Sequence, residues 1–393
     1  MDIFEKCSGY TLAKEAMAIG MYPYFIPLTE SEGTEASYQG RRLIMCGSNN
    51  YLGLTTHPKV KEAAIEATRR YGTSCTGSRF LNGTLEMHEQ LEAELAAWVG
   101  KEAALVFSTG MQTNLGTISA LVGRGDTVIL DKDDHASLVD GARLSWGETK
   151  RFRHNDLRDL ARVLASVEEG KGILVAVDGL FSMGGDVASL PEIARLCRQH
   201  GARLLVDDAH AMGVLGGGRG TAAHFGITEE VDLIMSTFSK SFASLGGFIA
   251  GDETVVHYIK HHARALIFSA SITPANTAAA LAALEVMRTE PERVERLAKI
   301  GERMRRELTQ LGFDIGSSCS PIIPILIGDD MRTIATWKML FEQGVFVNPV
   351  LSPAVPPGQQ LLRTSYMATH TDEQLEQVLE TYARVGRVMG LIQ

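Results

Sequence analysis

Between residues 100 and 250 the chain repeatedly sets a short, almost unbroken apolar run ahead of a helix-like stretch: Ala103–Phe107, Thr127–Leu130, Ile173–Val177, Arg203–Val206, Leu233–Met235 and Phe248–Ala250. A strand wetted on one face alternates apolar and polar residues. One that is apolar on successive positions has to be covered on both faces. Runs of this kind separated by helical segments predict a mostly parallel sheet wrapped by helices, an α/β architecture. Polar residues gather at the downstream ends of the runs, at Ser108, Asp131, Asp178, Asp207 and Ser236. Ligands of open α/β sheets bind beyond the carboxyl ends of the strands, so the chemistry is expected there.

Past residue 290 the pattern changes. Leu297, Ile300, Met304, Leu308 and Leu311 form a one-faced helical stripe, and Leu375, Val378, Leu379, Tyr382, Val385 and Val388 form another. A strand-like Ile322–Ile327 and a proline-rich loop, Ser352–Gly358, lie between them. The expected organisation is an N-terminal arm over residues 1–50, a large α/β domain over 51–289 and a smaller α+β domain over 290–393. A chain that is 45% apolar and 22% charged has ample material for such cores. Its formal net charge of −9 gives no electrostatic reason to expect nucleic acid as a partner, while leaving room for a small anion in a local positive site. The five cysteines are scattered, with no C-x-x-C pair, as in a reduced cytoplasmic protein. Glu5, Lys6, Lys14 and Glu15 interrupt what would be the apolar core of a signal peptide. No run approaches the ~18 apolar residues of a membrane helix. A cytoplasmic location is expected.

The glycine-rich Gly213–Gly220 lacks the G-x-G-x-x-G spacing, and no G-x-x-x-x-G-K-[ST] occurs, so neither dinucleotide nor P-loop chemistry has its mechanical parts. Two other segments carry more information: Leu205-Val-Asp-Asp-Ala-His210 and Ser236-Thr-Phe-Ser-Lys240, each closing an apolar run. A strand-end carboxylate, a histidine three residues on and a lysine flanked by hydroxyls are what a pyridoxal phosphate site needs. The lysine forms a Schiff base and is the more nucleophilic when burial keeps its amine deprotonated. The carboxylate keeps the pyridine nitrogen protonated, which makes the ring an electron sink. The phosphate belongs at a helix N-terminus, for which Gly110 and Met111 are well placed after Phe107-Ser-Thr.

With these motifs stand Gly47-Ser-Asn-Asn-Tyr-Leu-Gly-Leu54, Asp134-His-Ala-Ser137, Asp178-Gly-Leu-Phe-Ser-Met183 and Leu362-Arg-Thr-Ser365. In this order, from about Leu43 to the C-terminus, they resemble the α-oxoamine synthases, which are fold-type I pyridoxal phosphate transferases. The resemblance implies a large, mostly parallel seven-stranded-type sheet domain and a smaller α+β C-terminal domain. It implies Lys240 as the Schiff-base lysine, Asp207 as partner of the pyridinium nitrogen, His210 near the phenolic oxygen and His135 stacked on the ring and touching the amino-acid carboxylate. Ser182, Thr237 and Ser239 correspond to cofactor-contacting hydroxyls, and Ser269 to a phosphate ligand donated across a homodimer. Arg363 corresponds to the arginine that pairs with the substrate carboxylate, assisted by Asn50.

Gly77-Ser-Arg-Phe-Leu-Asn-Gly-Thr84, Phe107-Ser-Thr-Gly-Met-Gln-Thr-Asn-Leu-Gly116 and Phe152-Arg-His-Asn155 resemble the bacterial serine palmitoyltransferase branch. That branch implies condensation of L-serine with a long-chain acyl-CoA to 3-ketosphinganine, with loss of carbon dioxide. Departures from its pattern at Asn49 and at Ser352-Pro-Ala-Val-Pro356 leave acyl-chain length and serine itself open, the rivals being alanine with a pimeloyl thioester, glycine with acetyl-CoA, or an amino acid with an acyl chain on a carrier protein. Readings of other classes are a non-catalytic scaffold of the same fold and a nicotinamide-dependent oxidoreductase, the latter without its glycine fingerprint. A lipid-forming enzyme could also touch a bilayer peripherally without a spanning helix.

Overall fold

The computed structural model describes residues 2–393, which divide into two compact units. One unit comprises Asn49–Ile300 with Met367–Thr369. The other comprises residues up to Ser48, Gly301–Tyr366 and His370–Gln393.

The first unit is built on a seven-stranded sheet. Its strands in chain order are β1 (Ala103–Phe107), β2 (Thr127–Asp131), β3 (Glu148–Phe152), β4 (Ile173–Asp178), β5 (Arg203–Asp207), β6 (Leu233–Thr237) and β7 (Gly247–Gly251). Across the sheet they lie in the order β1-β7-β6-β5-β4-β2-β3. The pairs β6–β5, β5–β4, β4–β2 and β2–β3 are parallel. β7 alone runs against its neighbours, pairing antiparallel with both β1 and β6. All six apolar runs form strands of this sheet, and β2, β6 and β7 are buried at every position. β3, Glu-Thr-Lys-Arg-Phe, is the strand that the apolar pattern missed. It lies at the sheet edge with only Phe152 buried, so nothing selected for an apolar run there.

Because β7 is reversed, its first residue, Gly247, faces the last residues of both β1 and β6, Phe107 and Thr237. The carboxyl ends of β1, β6, β5, β4 and β2 therefore share one edge. The helix Gly110–Leu121 starts on that edge and packs closely on β6 and β7. A Cβ on Gly247 would lie 2.8 Å from Gly110 Cα, and one on Gly110 would lie 2.7 Å from Thr237 Oγ1, so both contacts require glycine. Leu105, Phe107, Ile118, Leu130, Leu138, Leu205, Met235 and Ile249 belong to the core beneath.

In the second unit the strands Ile322–Leu326, Leu361–Ser365 and Asn348–Val350 form an antiparallel sheet with Leu361–Ser365 in the middle. A second sheet joins Glu30–Glu32, Glu35–Tyr38 and Arg41–Met45 to Val345–Phe346, the last pairing parallel with Ile44 and Met45. The two sequence stripes form the helices Glu292–Leu311, whose residues up to Ile300 belong to the first unit, and Asp372–Val388; the former buries Leu297, Ile300, Met304 and Leu308, the latter Leu375, Val378 and Tyr382. Val388 ends its helix exposed. No helix of the described residues is long and apolar enough to cross a membrane.

Candidate active site

A cavity of about 270 Å³ opens at the shared carboxyl edge of the sheet. Five strand ends line it. Thr109, Gly110 and Met111 follow β1, and His135 and Ser137 follow β2. Asp178 and Leu180 come from β4, Asp207, Ala209 and His210 from β5, and Met235, Thr237, Ser239, Lys240 and Leu245 from β6 and its loop. The strand register explains the meeting: Asp178 pairs with Asp207, and Asp207 with Met235, across parallel neighbours. A larger cavity, about 590 Å³, is lined by Lys101, Arg203 and residues from the amino ends of the strands, and holds none of the residues singled out above.

Asp207 is buried and held by two donors. Asn114 Nδ2 lies 2.7 Å from Oδ2, and the Ala209 N–H lies 2.9 Å from Oδ1. In both contacts the carboxylate is the acceptor. The same Asn114 amide donates to Ser137 Oγ at 2.8 Å, and Ser137 Oγ lies 2.7 Å from His135 Nδ1. The Ser137 N–H also points at Nδ1, at 3.2 Å, so Nδ1 is an acceptor and a neutral His135 carries its proton on Nε2. Burial pushes the His135 pKa below its ordinary value. Asp207 pulls against that shift, and the charge of Lys240 reinforces it.

Asp178 and Asp134 stand beside this group. Burial, the largest cause, together with neighbouring carboxylates holds both carboxyls well above the usual range. Asp134 accepts the N–H groups of Asp131 and Asp178, both at 2.8 Å, and so staples the ends of β2 and β4. His154 bridges Asp131 (3.0 Å) and Asp186 (2.9 Å). Partial burial works against its charge, but these two carboxylates raise its pKa to about 10.

The helix Gly110–Leu121 starts at the cavity, and its first N–H groups have no acceptor within the helix. Thr109 Oγ1 takes that of Gln112, at 3.1 Å. Thr237 Oγ1 stands against Gly110, fixed by the Gly246 carbonyl and by Ser239 Oγ, each at 2.9 Å.

Of the residues chosen from sequence, Gly110, Met111, His135, Asp207, His210, Thr237, Ser239 and Lys240 meet in the cavity. Four do not line it. Ser182 is half-buried in the turn after Leu180, and Ser269 Oγ accepts from Gln112 Nε2 at 2.9 Å. Asn50 is buried and donates to Thr55 Oγ1 at 2.8 Å, and Arg363 is buried in the middle strand of the second unit's antiparallel sheet. Sequence reasoning missed Asn114 and Ser137 as site residues, whereas Asp178 lines the cavity as its place at a strand end led us to expect. Asp178 was visible as a strand-end acid, whereas Asn114 carries no such mark within its helix.

A family model for aminotransferases of class I and II matches residues 41–381. The chain belongs to this family. Within the aminotransferase class I and II family, it is 50% identical over 382 residues to the serine palmitoyltransferase of Sphingobacterium spiritivorum, covering 97% of this chain and 96% of that one. It is 42% identical to the 8-amino-7-oxononanoate synthase of Symbiobacterium thermophilum, covering 95% and 96%. The whole chain superimposes, with a TM-score of 0.97 and 36% identity, on the whole of a serine palmitoyltransferase solved with pyridoxal phosphate as an internal aldimine. Both relatives place the chain among the α-oxoamine synthases, with the fold-type I architecture.

Pyridoxal 5'-phosphate, the cofactor of this branch of the family, fits the residues present. An amine, a doubly anchored carboxylate and a neutral imidazole share one cavity with a helix N-terminus that Gly110 leaves open to a phosphate.

Proposed function

We propose that this chain catalyses the decarboxylative condensation of L-serine with a long-chain acyl-CoA, palmitoyl-CoA as the best match, giving 3-ketosphinganine, coenzyme A and carbon dioxide. The observation that carries this reading is the convergence of Lys240, Asp207, His135 and the Gly110 helix start on one cavity, in a chain half identical to a serine palmitoyltransferase.

Bound pyridoxal phosphate supplies an electron sink for negative charge developing at the α carbon of the amino acid. The chain's residues do the rest. Asp207, held as an acceptor by Asn114 and the Ala209 N–H, keeps the ring nitrogen protonated. Gly110 and Met111 N–H groups, with Thr237 and Ser239 hydroxyls, take the phosphate, and Ser182 adds a further hydroxyl. Neutral His135 would face the cofactor ring and offer Nε2–H to the substrate carboxylate. His210 would lie near the phenolic oxygen. Lys240 Nζ would hold the cofactor and would be the base that takes the proton from the α carbon and returns it. Arg363, a planar two-pronged donor, pairs with the serine carboxylate, with Asn50 assisting. The working unit is a homodimer in which Ser269 of the partner subunit completes the phosphate site. It is cytoplasmic and meets the membrane only peripherally.

The test is the visible absorption of the purified protein with pyridoxal phosphate, titrated separately with L-serine, L-alanine and glycine before palmitoyl-CoA is added. The expected result is a band that Lys240→Ala abolishes and that serine perturbs at the lowest concentration, with thiol and carbon dioxide released on adding the thioester. A tighter response to alanine would move the substrate towards that of the 8-amino-7-oxononanoate synthases. The absence of any band in the wild type would refute the catalytic reading.

A further inference from the structure

Tyr51 plays no part in the reading above, yet its side chain is completely buried and ends against a cavity residue. Its hydroxyl oxygen lies 2.6 Å from His210 Nδ1 and 3.3 Å from Asn49 Oδ1, and the two rings meet edge to face. The backbone around it is pinned: the Tyr51 N–H donates to the Asn49 carbonyl at 2.8 Å, and the Tyr51 carbonyl accepts from the Ala368 N–H at 2.7 Å. The ring therefore has one placement, and what varies is where its single proton goes.

Distance ranks these two contacts. A contact of 2.6 Å is a strong hydrogen bond from a hydroxyl, whereas 3.3 Å is beyond the usual O–H···O range. The proton is directed at His210 Nδ1. An imidazole whose Nδ1 accepts carries its own proton on Nε2 when neutral. His210 thus meets Tyr51 with its acceptor nitrogen and has its N–H at the other corner of the ring.

We infer that Tyr51 is a positioning residue that holds His210 in the Nε2–H form, making this histidine a fixed hydrogen-bond donor to the cavity and not a proton acceptor. The consequence for function rests on the proposed place of His210 beside the cofactor's phenolic oxygen. A donor locked in this form favours negative charge on that oxygen. A ring free to exchange tautomers would offer it a lone pair part of the time, which repels the same charge.

The experiment is nitrogen NMR of the cofactor-free protein labelled on histidine, with His210 assigned by His210→Gln. The expected wild-type spectrum has an unprotonated Nδ1 and a protonated Nε2, and Tyr51→Phe, which keeps the ring and loses the hydroxyl, mixes the two forms. A wild-type Nδ1 that carries the proton would overturn the inference, as would a His210 signal that Tyr51→Phe leaves untouched. The wild-type spectrum alone decides the tautomer, so the result does not depend on the variant folding. In a second arm, pyridoxal phosphate is titrated into both proteins. Loss of one hydrogen bond is expected to weaken binding by about three- to tenfold and to shift the pH midpoint of the visible band. Equal affinities and equal midpoints would overturn the link to the cofactor. Failure of the wild type to bind pyridoxal phosphate at all would refute the proposed function, while the spectrum would still report on Tyr51.

Discussion

His88 makes the stability of this protein sensitive to mild acid in a way that can be calculated. The imidazole is completely buried near the start of the helix Glu86–Val99. Its Nδ1 accepts the Leu85 N–H at 3.0 Å, and its Nε2 donates to the Ile272 carbonyl at 3.1 Å. A second proton on Nδ1 would face the Leu85 N–H, and no lone pair would be left to receive it. Burial, chiefly, and the neighbouring Arg79 guanidinium bring its pKa from 6.5 to about 4. The folded state therefore prefers the neutral ring. The stability tied to this preference is complete above pH 6.5 and is lost as pH falls towards 4. At 1.36 kcal/mol per pKa unit the loss reaches about 3 kcal/mol, a large fraction of the ~5–15 kcal/mol that holds a typical protein folded. The variant is His88→Gln, whose amide can both accept and donate. The assay is the urea midpoint of wild type and variant between pH 7.5 and 4.5, with the His88 ring titrated by NMR in parallel. The wild-type midpoint should fall more steeply below pH 6.5 than that of the variant. Parallel acid limbs, or a His88 that titrates near 6.5, would refute the reasoning.

Other expectations concern the cavity and its supports. Asn114→Ala removes one of the two donors to the Asp207 carboxylate. Hydrogen bonds to charged groups contribute about 1.5–3 kcal/mol, so pyridoxal phosphate affinity should drop by about ten- to a hundredfold in an absorbance titration. Gly110→Ala drives a Cβ against Thr237, whose hydroxyl is already tied to Gly246, and should weaken cofactor binding in the same titration while leaving far-ultraviolet circular dichroism unchanged. Arg79 and Glu92 form a buried two-pronged pair at 2.7 and 3.1 Å. Arg79→Ala leaves the carboxylate uncompensated and should destabilise the protein by about 3–5 kcal/mol, read as a lower urea midpoint. His154→Gln should lose stability that is fully present below pH 6.5 and that disappears in the wild type as pH rises through about 10, so the two denaturation curves should converge only in strong base.

The sequence by itself determined the layer architecture and most of the reacting groups. Runs such as Thr127–Leu130 and Leu233–Met235 are legible because burial on both faces leaves no position for a polar residue. Asp207, His210 and Lys240 are legible for a related reason: each ends a strand or follows one within a few residues, so the strand's direction carries it to the binding edge. β3 escaped notice because an edge strand with one buried residue has no apolar signature. Tertiary structure alone decided the contacts that tune those groups. Asn114 reaches Asp207 across 93 residues, and Tyr51 reaches His210 across 159. It also decided that Val345 and Phe346 close a sheet with Ile44 and Met45, joining the described residues up to Ser48 to the C-terminal part of the chain in one unit. Local periodicity records which face of an element is covered. Which distant side chain arrives to supply a proton, a donor or a closing strand depends on how the sheets close, and neighbours in sequence carry no record of that.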